Sequence, residues 1–311
     1  MDALDIRLLR GMGARPYGKL PKDPETLRAS HLAREVGTSV VTAKERIARM
    51  EGIGVIAGYQ VYPNLRHLGL ASTAFLHRVP DEDRKARALE EAKLVDGLME
   101  VHDFLGPPVC IDVAYAGAGE LERKVRLLAN QTGDAAPLRL YEREMPAVER
   151  PLKHLDWRIL AALRGRALRP LQEIADELKV NPRTVKRHYD AMAKEGSFLA
   201  VPLLDLGKAE GLFPFFLNFS TGPNPSRATL ETILHTFEER RVHTYFPCDT
   251  RLGNLGLMLF AKSAAEVEEM RHRGAALPGV QRVGSWVYKG FHDYTPWLDD
   301  AIAARVKASA G

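Results

Sequence analysis

Residues 181–188, NPRTVKRH, set Arg183, Thr184, Lys186 and Arg187 along the first turns of a helix that opens on Asn181 and Pro182. Asparagine is a favoured N-cap and proline suits the first helical position. Guanidinium and ammonium groups on the outward face of such a helix can do two things: hold guanine in a bidentate contact, or neutralise phosphate. An earlier stretch, LAREVGTSVVTAKERIARMEGIG at 32–54, offers Thr42, Lys44, Arg46 and Arg49 in the same way, with Val41 and Glu45 among them. There Gly37 supplies the turn and Ser39 the cap. The apolar residues Ile174, Ala175, Leu178, Val180, Val185, Tyr189 and Met192 recur at spacings of three and four, which puts them on one face of each of two helices. Val180 is expected in the turn between them. In the earlier stretch Ala43, Ile47 and Met50 point inward. Two short helices about a turn, the second presenting cations, make the helix-turn-helix plan, in which outward residues of the second helix reach base edges and phosphates. One such pair alone reads equally well as ordinary amphipathic packing; two in the same register favour the nucleic-acid reading.

Other residues could do other chemistry. His102 stands in EVHDF and His243 in RVHTYFPCDTRLGNL, with Tyr245 and Arg251 nearby. Such cations could hold carboxylates and supply protons; the alternative is a satisfied structural histidine at a strand start. Cys110 and Cys248 are too few for a disulfide scaffold or a four-thiolate zinc site, and read as small apolar fillers. We expect no metal site and no cofactor. The aromatic cluster Trp286, Tyr288, Phe291, Tyr294 and Trp297 is expected to pack a terminal helix on the last strand. The run DEDRKARALEEAK at 81–93 reads as a solvated helix face.

The elements that position these residues recur. At an offset of 142, Leu32 falls on Ile174, Ala33 on Ala175, Thr42 on Thr184, Lys44 on Lys186, Met50 on Met192 and Gly54 on Gly196. At 141, Val101-His102 meets Val242-His243. LDIRLL at the start resembles LDWRIL at 155–160. The chain therefore reads as a tandem duplication with its seam near 145–151. Each half runs helix, helix-turn-helix, a short hairpin wing at GVIAGYQVYP or GSFLAVPLLD, then strand, helix, two strands, helix and strand. That last order, βαββαβ, is the ferredoxin-like plan, so the fold class is α+β. The expected domains are 1–65 and 149–207, each a winged helix-turn-helix, 66–148 and 208–290, each ferredoxin-like, and a helical tail at 291–311.

Bulk properties fit this. The 311 residues are 45% hydrophobic and 27% charged, a soluble globular profile, with a net charge of +4. Basic residues cluster at 150, 153, 158, 164, 166 and 169 against Asp156 alone. No apolar run reaches membrane-spanning length and the start lacks a signal-peptide pattern, so we expect a cytoplasmic protein with no membrane partner.

The quoted first-helix segments, together with AREVGTSVVTAKERIARMEGIGVIAGYQVYPN and IADELKVNPRTVKRHYDAMAKEGSFLAVPLLD, resemble the Lrp/AsnC family of transcription regulators, twice over. The resemblance implies double-stranded DNA as partner, contacted by Thr42, Lys44, Arg46, Arg49, Arg183, Thr184, Lys186 and Arg187. It also implies αβ halves that dimerise and sense a small-molecule effector, and assembly of the chain as a homodimer. In that family a glycine followed shortly by aspartate marks the turn beside the effector pocket; Gly106, Asp112 and Asn254 stand nearest to that pattern here, with altered spacing. A second resemblance is to siroheme decarboxylases, built from the same parts in fused or paired halves. It would make His102, His243 and Arg251 the residues facing a tetrapyrrole.

Overall fold

A computed structural model of the chain describes residues 1–13, 27–143, 145–245 and 253–309. The first head contains α1 (Ala3–Met12), α2 (Ala29–Val36) and α3 (Val40–Gly52); the second contains α6 (His154–Leu163), α7 (Leu171–Leu178) and α8 (Pro182–Glu195). Their starts follow from the sequence. Ser39 accepts from the Thr42 amide at the start of α3, and Asn181 accepts from the Arg183 amide ahead of α8. Asp2 caps α1 and is answered by Asp5 in a reciprocal capping box. The turn inside each head needs a left-handed residue: Gly37 (φ 71°) in the first and Lys179 (φ 54°) in the second. The inward faces are those the spacing marks. Leu32, Ala43, Met50, Ile174, Val185 and Met192 are all fully enclosed, and each large apolar side chain so buried contributes roughly 1.5–3 kcal/mol.

The expected hairpin wings are absent. Each head is followed instead by one strand, β1 (Ile56–Pro63) or β6 (Phe198–Leu204), and the two pair antiparallel with each other, from Ile56 opposite Leu204 to Pro63 opposite Phe198. Neither segment folds back on itself, because an intact ladder is available from the other half. The ribbon is sealed where Tyr62, Leu199 and Val201 join one apolar cluster. Head also meets head: the loop after α6 lies along β1, where Arg164 donates to the Val61 carbonyl and the Ala167 amide to that of Tyr59.

In the first half the βαββαβ order is β2 (Ala71–Arg78), α4 (Glu82–Ala92), β3 (Leu98–Phe104), β4 (Pro108–Tyr115), α5 (Ala118–Thr132) and β5 (Leu138–Glu142). In the second it is β7 (Phe213–Ser220), α9 (Arg227–Thr236), β8 (Arg241–Tyr245), β9 (Asn254–Ala261), α10 (Ala264–Ala275) and β10 (Arg282–Asp293). All eight strands form one sheet in the order β5-β2-β4-β3-β10-β7-β9-β8. The seam is β10, longer than expected because it changes partners. Up to Val287 it pairs with β7; from Tyr288 to Asp293 it pairs with β3, across a register shift before Gly290.

One face of each half is covered by its own helices and the other faces inward, where β5 also approaches β9. The inner face brings Ala74, Leu76, Phe104 and Cys110 against Phe216, Met258, Phe260 and Tyr288 in one core that continues into both heads. The late aromatics belong largely here, not to the tail. Trp286 stacks on Phe216 at 5.6 Å, while Tyr288 lies beside Phe104. Gly256 is required, since a Cβ there would fall 2.2 Å from Phe216 Cζ. The tail helix, α11 (Trp297–Ala308), packs on α6, and His154 meets the Val306 carbonyl. Cys110 is buried as expected; Cys248 lies outside the described residues. In the 81–93 run Lys85 is an exception to the solvated face. It is 2% exposed and its ammonium lies 2.6 Å from Asp103.

Candidate nucleic-acid interface

α8 presents the cations the sequence marks. Arg183, Lys186 and Arg187 are exposed, and Thr184 is half-buried. Arg183 and Arg187 form no ion pair among the described residues; Lys186 reaches Asp190, one turn on, at 2.6 Å. A surface pair of this kind is worth at most about 1 kcal/mol, so it yields readily to a phosphate. Behind them α8 is anchored by His188, whose Nδ1 lies 2.6 Å from Asp156. Asp156 is fully buried and also takes the Arg150 guanidinium (3.0 Å) and the Lys153 amide (2.8 Å). Burial alone would raise its pKa, but His188, the Lys153 amide and Arg150 hold it below the usual carboxylate value.

α3 is arranged differently. Arg46 bridges Asp2 (2.5 Å) and the buried Asp5 (3.2 Å), and Arg49 meets Asp5 at 2.5 Å. The Thr42 hydroxyl lies 2.8 Å from Ser39 in the cap. Lys44 is exposed and, with Val40, Ala48 and Glu51, lines a cleft of about 470 Å³ closed by Tyr59 and by Leu168 of the second head. Part of the basic run of 150–169 is likewise paired, Arg164 by Asp299 and backbone carbonyls and Arg169 by Glu173 and Glu177, while Lys153 and Arg166 are exposed.

The inner sheet face carries a polar cluster of which the sequence marks only part. Arg143 bridges Glu100 and Asp112, at 3.0 Å each, and His102 lies 3.7 Å from Glu100 and against Phe291. Burial would raise the Glu100 pKa, but Arg143 and His102 hold it down to about 2. Burial pushes the His243 imidazole down to about 4, opposed by the Glu100 charge, so His243 belongs to the same electrostatic neighbourhood. The two histidines are not counterparts, however. Ala74 faces Asp112 as Phe216 faces Met258, while Glu100 pairs with Asp112 and His243 with Met258. His243 thus matches Glu100. Both strands carry the same bulge, between Leu98 and Glu100 in β3 and between Arg241 and His243 in β8, so the equivalence here runs at an offset of 143 and not 141. Nor does Asn254 match Asp112, whose counterpart in the second half is Met258. Asn254 pairs with Ser220 at the start of β9, whereas Asp112 sits within β4 and Gly106 in the preceding turn (φ 76°). Gly106, Asp112 and Asn254 therefore lie on separate elements. Arg251 lies outside the described residues. Glu100 and Arg143 escaped the sequence reading, although a glutamate two residues from a histidine in an otherwise apolar strand places both on one face.

A family model described as winged helix-turn-helix DNA-binding matches residues 152–196. The matched segment holds α6, α7 and α8, the helix-turn-helix of the second head, and ends before β6. No curated protein matches the sequence. Among solved structures, the siroheme decarboxylase NirDL aligns over 100% of both chains with 15% identity and a TM-score of 0.57. Its co-complex with an iron-uroporphyrin III analogue aligns over 99% of each, with 16% identity and a TM-score of 0.55. At these identities the likeness is one of fold. An AsnC family transcriptional regulator from Agrobacterium tumefaciens aligns with 44% of this chain and 84% of its own, at 19% identity and a TM-score of 0.30. Among the described residues no helix is long and apolar enough to cross a membrane.

Proposed function

We propose that the chain is a sequence-specific DNA-binding transcriptional regulator of the Lrp/AsnC type, a tandem duplication whose αβ halves serve sensing and dimerisation. The observation that carries this reading is the outward row Arg183, Lys186 and Arg187 on α8, within the segment that matches the winged helix-turn-helix model. Its partner is double-stranded DNA, entered through the major groove. Two chains associate as a homodimer, and a small-molecule effector makes its polar contacts with the Glu100–Arg143–Asp112 group. The test is a binding assay of the full chain against a random duplex library, repeated at rising salt. Salt-sensitive binding with sequence preference supports the reading; its absence at moderate salt removes it.

A second reading, a tetrapyrrole decarboxylase, is favoured by the full-length fold shared with NirDL and by the imidazoles of His102 and His243 beside Glu100 and Arg143. In it the cations would hold propionates and the imidazoles would deliver protons. It predicts a visible absorption change when the chain is incubated with an iron tetrapyrrole, and turnover lost in His102→Ala and in His243→Ala.

A further inference from the structure

We propose that the two heads divide the work, so that one chain engages duplex DNA through α8 alone while the reading helix of the first head, α3, is committed to contacts inside the protein. This rests on the DNA-binding reading above.

Both heads bury one carboxylate at the base of the reading helix, Asp5 in α1 and Asp156 in α6, each 0% exposed. They satisfy it from different sources. Asp156 draws its guanidinium from Arg150, which precedes α6, and takes only His188 from α8. The arginines of α8 stay outside. Asp5 draws on α3 itself, through both Arg46 and Arg49. Moving either arginine to a phosphate would weaken the pairing of a buried carboxylate, and uncompensated buried charge is strongly destabilising. The cations that phosphates could attract are therefore held back.

The remaining front of α3 offers little to a polyanion. Lys44 faces the cleft beneath Leu168 of the other head. Glu51, on the same helix, accepts from the Tyr59 hydroxyl at 2.8 Å, and Glu45 is exposed. Val41 is 66% exposed where α8 sets Arg183. Across the same span α8 offers Arg183, Lys186 and Arg187 outward, with Lys194 exposed farther along.

The experiment compares Arg183→Ala/Arg187→Ala with Val41→Ala/Lys44→Ala in the full chain, on the best duplex from the library selection, by fluorescence anisotropy at several salt concentrations. All four side chains are exposed, and matched thermal unfolding curves establish that both variants are folded. Loss of the α8 pair is expected to lower affinity roughly 10-fold or more. It should also flatten the slope of log K against log salt by about 1 for each phosphate contact removed. The α3 pair is expected to change affinity by less than about twofold, since surface charges outside the interface contribute little. Equal losses in both variants, or a loss confined to the α3 pair, with the unmodified chain still binding, would overturn the division of labour and leave the regulator reading intact. No duplex binding by the unmodified chain would remove both.

Discussion

The Nδ1 of His188 lies 2.6 Å from Asp156 in the second head, where the first head sets Arg46 against Asp5. An imidazole thus ties α8 to α6. His188→Ala leaves Asp156 with Arg150 and one amide, and should cost about 1–2 kcal/mol of stability. Asp156→Ala leaves His188, Arg150 and the Lys153 amide without their buried partner and should cost more, about 2–4 kcal/mol. Urea unfolding midpoints check the order; an unchanged midpoint in His188→Ala would show that His188 adds nothing to the anchor.

Acid should weaken the fold in two stages. Burial lowers the pKa of His77 to about 4, with Asp134 opposing, and that of His243 to about 4. The unfolded chain then binds more protons between about 6.5 and 4, so stability falls as pH drops through that window. The loss for His77 alone is up to about 3 kcal/mol. Glu100, held near 2, is ionised and stabilising above its unfolded value, and that contribution is lost as pH falls from about 4.5 towards 2. Unfolding midpoints measured from pH 8 to 3 should show the first stage, and His77→Gln should shrink it. A profile flat down to pH 4.5 would contradict the assignment.

Lys179 occupies the left-handed turn position that Gly37 fills in the first head. A non-glycine residue there costs about 1 kcal/mol. Lys179→Gly is expected to stabilise the protein by roughly 0.5–1 kcal/mol, and Gly37→Lys to destabilise it by a similar amount. Opposite signs in paired denaturation curves are the outcome to look for.

Gly256 and Phe216 form a fitted pair, since a methyl on the first would enter the ring of the second. Gly256→Ala should cost about 1–3 kcal/mol by overpacking. Adding Phe216→Leu should recover part of that loss, giving a coupling energy of about 0.5 kcal/mol or more in a double-mutant cycle. Strict additivity would mean the ring has room to move.

The heads were readable because their signals are local. Ser39, Asn181 and Pro182 act within a few residues of themselves, and the buried stripe repeats every turn. The wing was misread because β1 finds its partner about 140 residues away, and no short-range pattern distinguishes that from a hairpin. β10 was cut short because its change of partner at Tyr288 leaves only a glycine as its mark. In the polar cluster, His102 stood out by type. Its counterpart is not His243, because the spacing between the halves is 143 in this strand and not 141; a two-residue shift leaves side chains on the same face, so nothing in the alternation of the strand reveals it. The roles of Arg46 and Arg49 hung on Asp5, a capping residue some 40 positions earlier that the helix pattern does not connect to them.

The β1–β6 ribbon has a consequence for how the molecule is put together. Strands that separate subunits would have to contribute by collision are here delivered by one polypeptide, so their encounter is governed by effective concentration within the chain and not by how much protein is present. The head-to-head arrangement should therefore survive dilution and resist subunit exchange, and no foreign partner can be substituted for either half without breaking a covalent chain.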